Sequence, residues 1–197
     1  MTKGLRWRVL VLQVGLVGIF AFAAGMLTWG GNFSRSTITT QLTAQQITFP
    51  AADSKAIAAL PAADATAMKQ FAGQQLTTGE QAQVYANNFI GVHLKEVAGG
   101  KTYSQVSALA QADPTNTKLA GQVQTLFRGE TLRGLLLNTY GWWTVGTVAI
   151  YGGIGMAIAA FAVLVALIFE LYRWRVATKT VARKSVHPAR PAARIAA

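Results

Sequence analysis

Residues 142–169 read WWTVGTVAIYGGIGMAIAAFAVLVALIF, and none of these 28 positions carries a charge. A second uncharged run of 21 residues extends from Val9 to Trp29. A helix needs roughly 20 apolar residues to cross the hydrocarbon core of a membrane, where it satisfies its own backbone hydrogen bonds. The two runs therefore predict an all-α membrane protein, in which two transmembrane helices flank a small helical-bundle extracytoplasmic domain.

The first run has an alternative interpretation as a cleaved signal peptide. Residues 1–8 are basic, and Ala21-Phe22-Ala23 has the small-x-small form of a signal-peptidase site. The apolar stretch continues beyond this site through Met26 and Trp29, which is longer than the usual apolar core of a signal peptide. This length favours an uncleaved membrane anchor, and cleavage stays an open alternative.

Basic residues are concentrated at the two ends of the chain, whereas the segment between the runs is nearly balanced in charge. Cytoplasmic flanks of membrane helices carry an excess of Lys and Arg, so we expect both termini in the cytoplasm. The predicted parts are a cytoplasmic N-terminus (1–8), transmembrane helix 1 (9–29), an extracytoplasmic helical domain (30–141), transmembrane helix 2 (142–171) and a basic cytoplasmic tail without regular structure (172–197).

Composition limits the chemistry of the chain. It contains no cysteine, which excludes disulfides, thiolate metal sites and covalent c-type haem. We expect no cofactor. The formal net charge of +11 resides mainly at the ends. The basic tail predicts attraction to anionic lipid headgroups, and because it lacks interleaved aromatic residues we expect no nucleic-acid partner.

The segment between the runs contains several helix boundaries. Thr77-Thr78-Gly79-Glu80 offers a capping box for a helix that ends near Ala98, where Gly99-Gly100 predicts a left-handed stop. A second box, Thr102-Tyr103-Ser104-Gln105, predicts a helix through about Ala110, and Asp113-Pro114 predicts a turn. A last helix through Leu126 can continue past Gly129 toward the membrane.

The segment before these helices is less regular. Gly30-Gly31-Asn32 interrupts the apolar run, and residues 34–48 fit either a helical stalk or a short strand. Pro50-Ala-Ala-Asp53 and Pro61-Ala-Ala-Asp64 repeat after eleven residues, each with Pro and Asp where a helix would begin. We predict two short helices there.

The stretch from Tyr85 to Trp143 contains a distinctive set of pieces. They are YANNFIGVHL (85–94), GKTY (100–103), ADP (112–114), LFRGETLRGLLLN (126–138) and YGWW (140–143). As a set they resemble a family of uncharacterised two-helix bacterial membrane proteins that often carries the label "aromatic ring-opening dioxygenase". The resemblance implies a location in the bacterial plasma membrane and, through the label, a subunit of an oxygenase.

The histidine content argues against a complete oxygenase site in one chain. Non-haem Fe(II) oxygenases commonly hold the metal with two His and one carboxylate. The only two histidines are His93, in the predicted extracytoplasmic domain, and His187, in the predicted cytoplasmic tail. A membrane would separate them, so an oxygenase role would need a site shared between subunits or a non-catalytic subunit. Beside Phe89 and Val97, His93 is more typical of a packed residue than of a proton-transfer group.

Polar and charged residues precede the aromatic pair at the start of the second run. One interpretation is a solvated helix face with an i,i+3 ion pair between Glu130 and Arg133. The other is an interaction surface for a membrane-protein partner or a lipid headgroup, because Arg and aromatic residues are enriched in interfaces. The candidate residues are Arg128, Glu130, Arg133, Asn138, Trp142 and Trp143.

Small residues occur at helical spacing within both runs. Ala21 and Gly25 form one small-xxx-small pair, and Gly155 and Ala159 form another. Such pairs allow helix backbones to approach closely in a membrane. We predict that they pack the two helices together, or pack them on a partner or a second copy.

These observations favour a non-enzymatic accessory, scaffold or assembly subunit of a larger membrane complex. The sequence contains no Ser-His-Asp arrangement with a nucleophile elbow and no P-loop. The first alternative is an extracytoplasmic ligand-sensing or solute-binding module, whose pocket Tyr85, Phe89, Tyr103 and Phe127 would line. The second alternative is the oxygenase subunit implied by the resemblance.

Overall fold

A computed structural model describes the chain from residue 3 to residue 186, and its regular structure over this range is helical. The only pairing of strand type among the described residues is a single bridge between Thr48 and Gln75. A π-helical segment, Tyr85–Ile90, lies between two of the α-helices. The α-helices are α1 (Lys3–Ala44), α2 (Lys55–Ala58), α3 (Ala62–Lys69), α4 (Gly79–Val84), α5 (Gly91–Val97), α6 (Tyr103–Ala112) and α7 (Thr117–Val186).

The two long helices contain the two uncharged runs. Both α1 and α7 are long and apolar enough to cross a membrane by length and composition. The prediction of a helical protein with two such helices is therefore confirmed.

The chain divides into two compact units. The central unit comprises Thr28–Tyr151, and the terminal unit comprises the described residues before Thr28 and after Tyr151. In the terminal unit, Leu10, Ala24 and Ala160 are buried, whereas large side chains such as Phe22 and Phe161 are exposed. This distribution is typical of helices whose outer faces are covered by lipid rather than water.

The first long helix does not end at Gly30-Gly31-Asn32, as the sequence indicated, but continues to Ala44. Gly31 lies at a close approach of α1 to α7, because a Cβ built there would be 2.5 Å from the carbonyl oxygen of Gly146. Glycine in a helix costs about 0.5–1 kcal/mol relative to alanine. Close helix packing offsets that cost, so Gly31 serves a helix contact and not a helix end. Residues 34–44 accordingly adopt the helical alternative.

The last helix also extends further than predicted. The sequence indicated a tail without regular structure from residue 172, whereas α7 continues to Val186. Residues 176–186 contain no Gly or Pro to interrupt the helix, and the first proline of the tail is Pro188. Residues 187–197, which complete the predicted tail, lie outside the described part of the chain.

The predicted helix boundaries between the runs are largely confirmed. Thr102 and Gln105 form a capping box, and Gly99 and Gly100 adopt positive φ values of 58° and 79°. The first capping box is present but uses Thr78 and Gln81, one residue later than predicted. Of the two Pro-Asp repeats, only the second places its proline directly before a helix, at α3.

The core of the central unit consists of two apolar clusters. The larger cluster joins the C-terminal part of α1 to α7 through buried residues that include Leu42, Phe49 and Leu136. The smaller cluster contains Leu94, Ala98, Val106 and Leu126 and joins α5 and α6 to α7. The central unit is therefore a helical bundle built around α7.

The π-helical segment is a wider helical turn between α4 and α5, and its adjacent side chains Asn87 and Asn88 contact different helices. The Nδ2 atom of Asn88 donates to Oδ1 of Asp64 in α3 at 2.8 Å. The next residue back, Asn87, accepts a hydrogen bond at Oδ1 from Arg133 Nη2 in α7 at 3.1 Å. Because π segments are rare and costly, two such anchors explain why this one persists.

Gly31→Ala is expected to destabilise the folded protein by about 1–3 kcal/mol, because the new methyl group would collide with the backbone of α7. The matched control is Gly30→Ala, where a Cβ meets nothing within 4 Å. The control should be neutral or slightly stabilising. Thermal unfolding in detergent, followed by circular dichroism, measures both variants, and equal effects would contradict the helix contact.

Candidate interaction surface

Trp143 is the central side chain of the candidate surface, and it is buried with 5% of its area exposed. Its Nε1 atom donates a hydrogen bond to Oε1 of Glu80 at 2.7 Å. A bond to a charged acceptor is stronger than a neutral one, and it satisfies the one polar group of the buried indole. This bond links α7 to the first turn of α4.

Arg35 of α1 completes the surroundings of this indole. The Cζ atom of its guanidinium lies 4.2 Å from the centroid of the Trp143 ring. One residue earlier, the Ser34 hydroxyl donates to the carbonyl oxygen of Trp142 at 3.1 Å. The positive guanidinium therefore meets the electron-rich ring face, while the Glu80 carboxylate meets the electron-poor edge at the N–H group.

Gly79 allows α4 to reach the indole. A Cβ at this position would lie 2.3 Å from both Cβ and Cγ of Trp143. No other residue fits this approach without moving α4 or α7. We call Arg35, Gly79, Glu80 and Trp143 the tryptophan seat, because these four residues fix α1, α4 and α7 to one another.

Arg133 forms a second anchor inside the central unit. Its Nη1 atom lies 3.3 Å from Oε2 of Glu130, in the predicted i,i+3 ion pair, and its Nη2 atom reaches Asn87. Its Nε atom is buried without a hydrogen-bond partner. Glu130 and Arg133 are both part-exposed, so the ion pair itself contributes little, and the contact with the π segment is the more specific feature.

The six predicted interaction residues are therefore divided between two faces of α7. Trp143 and Arg133 point into the central unit and hold it together. Arg128, Glu130, Asn138 and Trp142 are exposed, and Trp142 exposes 59% of its area. Only this second group is placed to meet another molecule.

Asn138 of this group belongs to a longer stripe on α7. Its positions follow alternating intervals of four and three residues, and all are exposed. Built Cβ atoms at its two glycines meet nothing within 4 Å. Such heptad spacing is typical of a face that packs against another helix. We call this stripe the outer seam, and its residues are Gly134, Asn138, Gly141, Val145 and Val148.

Among the described residues, the predicted packing pairs of the terminal unit are mostly exposed. Ala21, Gly25 and Gly155 are exposed, and Ala159 is half-buried. A Cβ at Gly25 or Gly155 meets nothing within 4 Å. Their neighbours Ala24, Gly153 and Ala160 are buried instead, so the small residues that pack in this chain are one to two positions away from the predicted ones.

His93 is exposed, and its ring packs against its own helix. Its Nδ1 atom lies 2.8 Å from the Phe89 carbonyl oxygen, and the two rings are 4.6 Å apart. Residues 3–186 contain no group of three His, Asp, Glu or Cys side chains that could hold a metal ion. The predicted second histidine, His187, lies outside the described residues.

The four aromatic residues predicted to line a pocket fall into two separate groups. Tyr85 and Phe89 stack in a series that begins at Phe71 and Phe49, with centroid distances of 5.1–5.5 Å. Burial in this series raises the pKa of the Tyr85 hydroxyl above its usual value of 10.0. Tyr103 and Phe127 form their own pair at 6.1 Å.

Three residues of the tryptophan seat were not singled out from the sequence. Glu80 was assigned to a capping box, and that role belongs to Gln81. Arg35 belongs to no motif of the sequence. The sequence does contain a signal for the seat. One tryptophan is enough for an interfacial anchor, so Trp143 beside Trp142 indicates a second role, and Glu80 is a charged residue that can accept from its N–H group.

Comparison of the chain with protein-family models, with curated proteins and with solved structures gives no match.

Trp143→Phe is expected to lower the free energy of unfolding by about 1.5–3 kcal/mol, because it removes a hydrogen bond to a charged acceptor from a buried ring. Trp142→Phe is the matched control, since the same substitution at an exposed neighbour should stay within about 0.5 kcal/mol. Thermal denaturation of both variants in the same detergent gives the comparison. A loss at Trp142 as large as that at Trp143 would contradict the seat.

Proposed function

We propose that the chain is a two-pass protein of the bacterial plasma membrane that acts as a non-enzymatic accessory, scaffold or assembly subunit of a larger membrane complex. Both termini face the cytoplasm, and the part of the central unit beyond the tryptophan seat lies outside. The partner is a membrane protein, and anionic lipid headgroups bind the basic tail.

The observation that carries this proposal is the outer seam. The seam is opposite the buried face of α7, which contains Leu136 and Trp143, so it does not take part in the packing of the central unit. It contains no charged residue, and Leu135 beside it exposes 61% of its area. An uncharged helix face with two glycines supports close approach by another helix.

The rigidity of the central unit supports the same role. The tryptophan seat, the Arg133 anchor and the close contact at Gly31 join α1, α4, the π segment and α7 through several independent contacts. A scaffold subunit benefits from such a frame, because a rigid surface loses less conformational entropy when a partner binds.

Asn138 gives the seam its one polar position. A single Asn in an otherwise apolar heptad face sets the register of a helix pair and disfavours other arrangements. At the seam it would pair with a polar group of the partner. This gives the surface specificity as well as affinity.

The oxygenase label of the resembling family fits this proposal only as the role of a non-catalytic subunit. A ligand-sensing module remains the alternative, and its support is limited to the aromatic residues of the central unit. The same experiment separates these readings.

The test is a pull-down of full-length, C-terminally tagged protein from its own host in mild detergent, with an untagged control. We expect stoichiometric recovery of another membrane protein. Asn138→Arg should abolish this recovery, because a charge at the seam would be buried without a partner. Gln111→Arg adds the same charge on exposed α6 and should leave recovery unchanged.

Recovery of the tagged chain alone, or only with copies of itself, would overturn the accessory role and favour a ligand-binding function. Equal recovery with both Arg variants would show that the complex uses another surface than the outer seam.

A further inference from the structure

We infer that the first membrane-spanning segment extends to Ser34, so that residues 30–34 lie within the bilayer and the stacked rings of Trp29 and Phe33 contact lipid chains. This inference rests on the proposed membrane topology. It moves the extracytoplasmic end of the first span from residue 29 to residue 34, beyond the Gly30-Gly31-Asn32 interruption of the apolar run.

The contacts between α1 and α7 set the depth of these residues. A Cβ at Gly31 would lie 2.5 Å from the Gly146 carbonyl oxygen and 3.1 Å from the Ile150 nitrogen. The second span begins at Trp142, so Gly146 and Ile150 are about 6 and 12 Å inside it at 1.5 Å per residue. Gly31 is at the same level and is therefore inside the membrane too.

The next turn of α1 reaches the level at which the second span begins. Ser34 bonds to the backbone of Trp142, and Arg35 lies over Trp143. Residues before Ser34 are thus level with the second span, and residues after Arg35 are beyond it. The two helices must enter the bilayer at the same plane, and that plane is at Ser34 and Trp142.

The charges agree with this plane. Between Arg8 and Arg35 the sequence contains no charged residue. Arg35 itself is held at the tryptophan seat together with Glu80, so both charges of the seat lie at the boundary, where headgroups and water begin. An arginine at this level costs little, whereas one at the bilayer centre costs several kcal/mol.

The exposed side chains on the membrane side of the seat are large and apolar. Trp29 and Phe33 expose 64% and 61% of their areas, and their rings stack with centroids 5.8 Å apart. On α7, Val145 and Val148 are similarly exposed at this level. Lipid chains cover the surface formed by Trp29 and Phe33 without a specific partner.

The absence of cysteine allows a clean test with single-cysteine variants of the full chain. Each variant receives a nitroxide label and is reconstituted in vesicles of phosphatidylcholine and phosphatidylglycerol. Relaxation by oxygen, which concentrates in hydrocarbon, is compared with relaxation by a water-soluble nickel chelate. The sites are Phe33→Cys and Val145→Cys on the membrane side, and Gln41→Cys and Asn138→Cys on the other side, all at exposed positions.

We expect oxygen to dominate at Phe33→Cys and Val145→Cys, and the ratio to reverse at Gln41→Cys and Asn138→Cys. Nickel dominance at Phe33→Cys with oxygen dominance at Val145→Cys would overturn the extended span and leave the topology intact. Nickel dominance at both would overturn the proposed topology itself. Shielding of Phe33→Cys from both reagents would assign this surface to protein, which also overturns the inference. A circular dichroism spectrum matching that of the unmodified chain confirms that each variant is folded.

Discussion

The indole of Trp143 is the contact on which the central unit depends. Its N–H group binds Glu80 of α4, its face carries Arg35 of α1, and its backbone belongs to α7. These three elements come from distant parts of the chain, and no disulfide can hold them because the chain has no cysteine. A buried aromatic ring with a charge of each sign against its edge and its face replaces the covalent link.

Close backbone approach makes this contact possible. Gly79 lets α4 reach the indole, and Gly31 lets α1 meet α7 just below it. Glycine lowers helix stability at these two positions, and the close packing around the indole offsets that loss. The outer seam differs, because a Cβ built at Gly134 or Gly141 meets nothing within 4 Å among the described residues.

The sequence predicts the large features of this fold because they depend on local physics. Uncharged runs of membrane length, capping boxes and paired glycines at a helix end each leave a pattern within a few residues. Two departures, at Gly30-Gly31 and at Glu80, have one cause, which is contact between distant residues. In the sequence Gly30-Gly31 resembles a helix break, whereas in the structure Gly31 packs against α7. In the same way Glu80 resembles a capping residue, whereas its carboxylate accepts from the Trp143 indole. The six predicted interaction residues all lie on α7, but which of them face inward depends on which side α1 and α4 occupy.

The arrangement of the chain across the membrane is the central claim, and limited proteolysis tests it directly. Lys101 is exposed in the turn between α5 and α6 and follows two glycines with positive φ values. Trypsin is added to intact spheroplasts of a bacterial host that expresses the full chain with a C-terminal tag. We expect cleavage at Lys101 in intact spheroplasts, with a tagged fragment that remains protected until the membrane is lysed. Cleavage at Lys101 only after lysis would contradict the account.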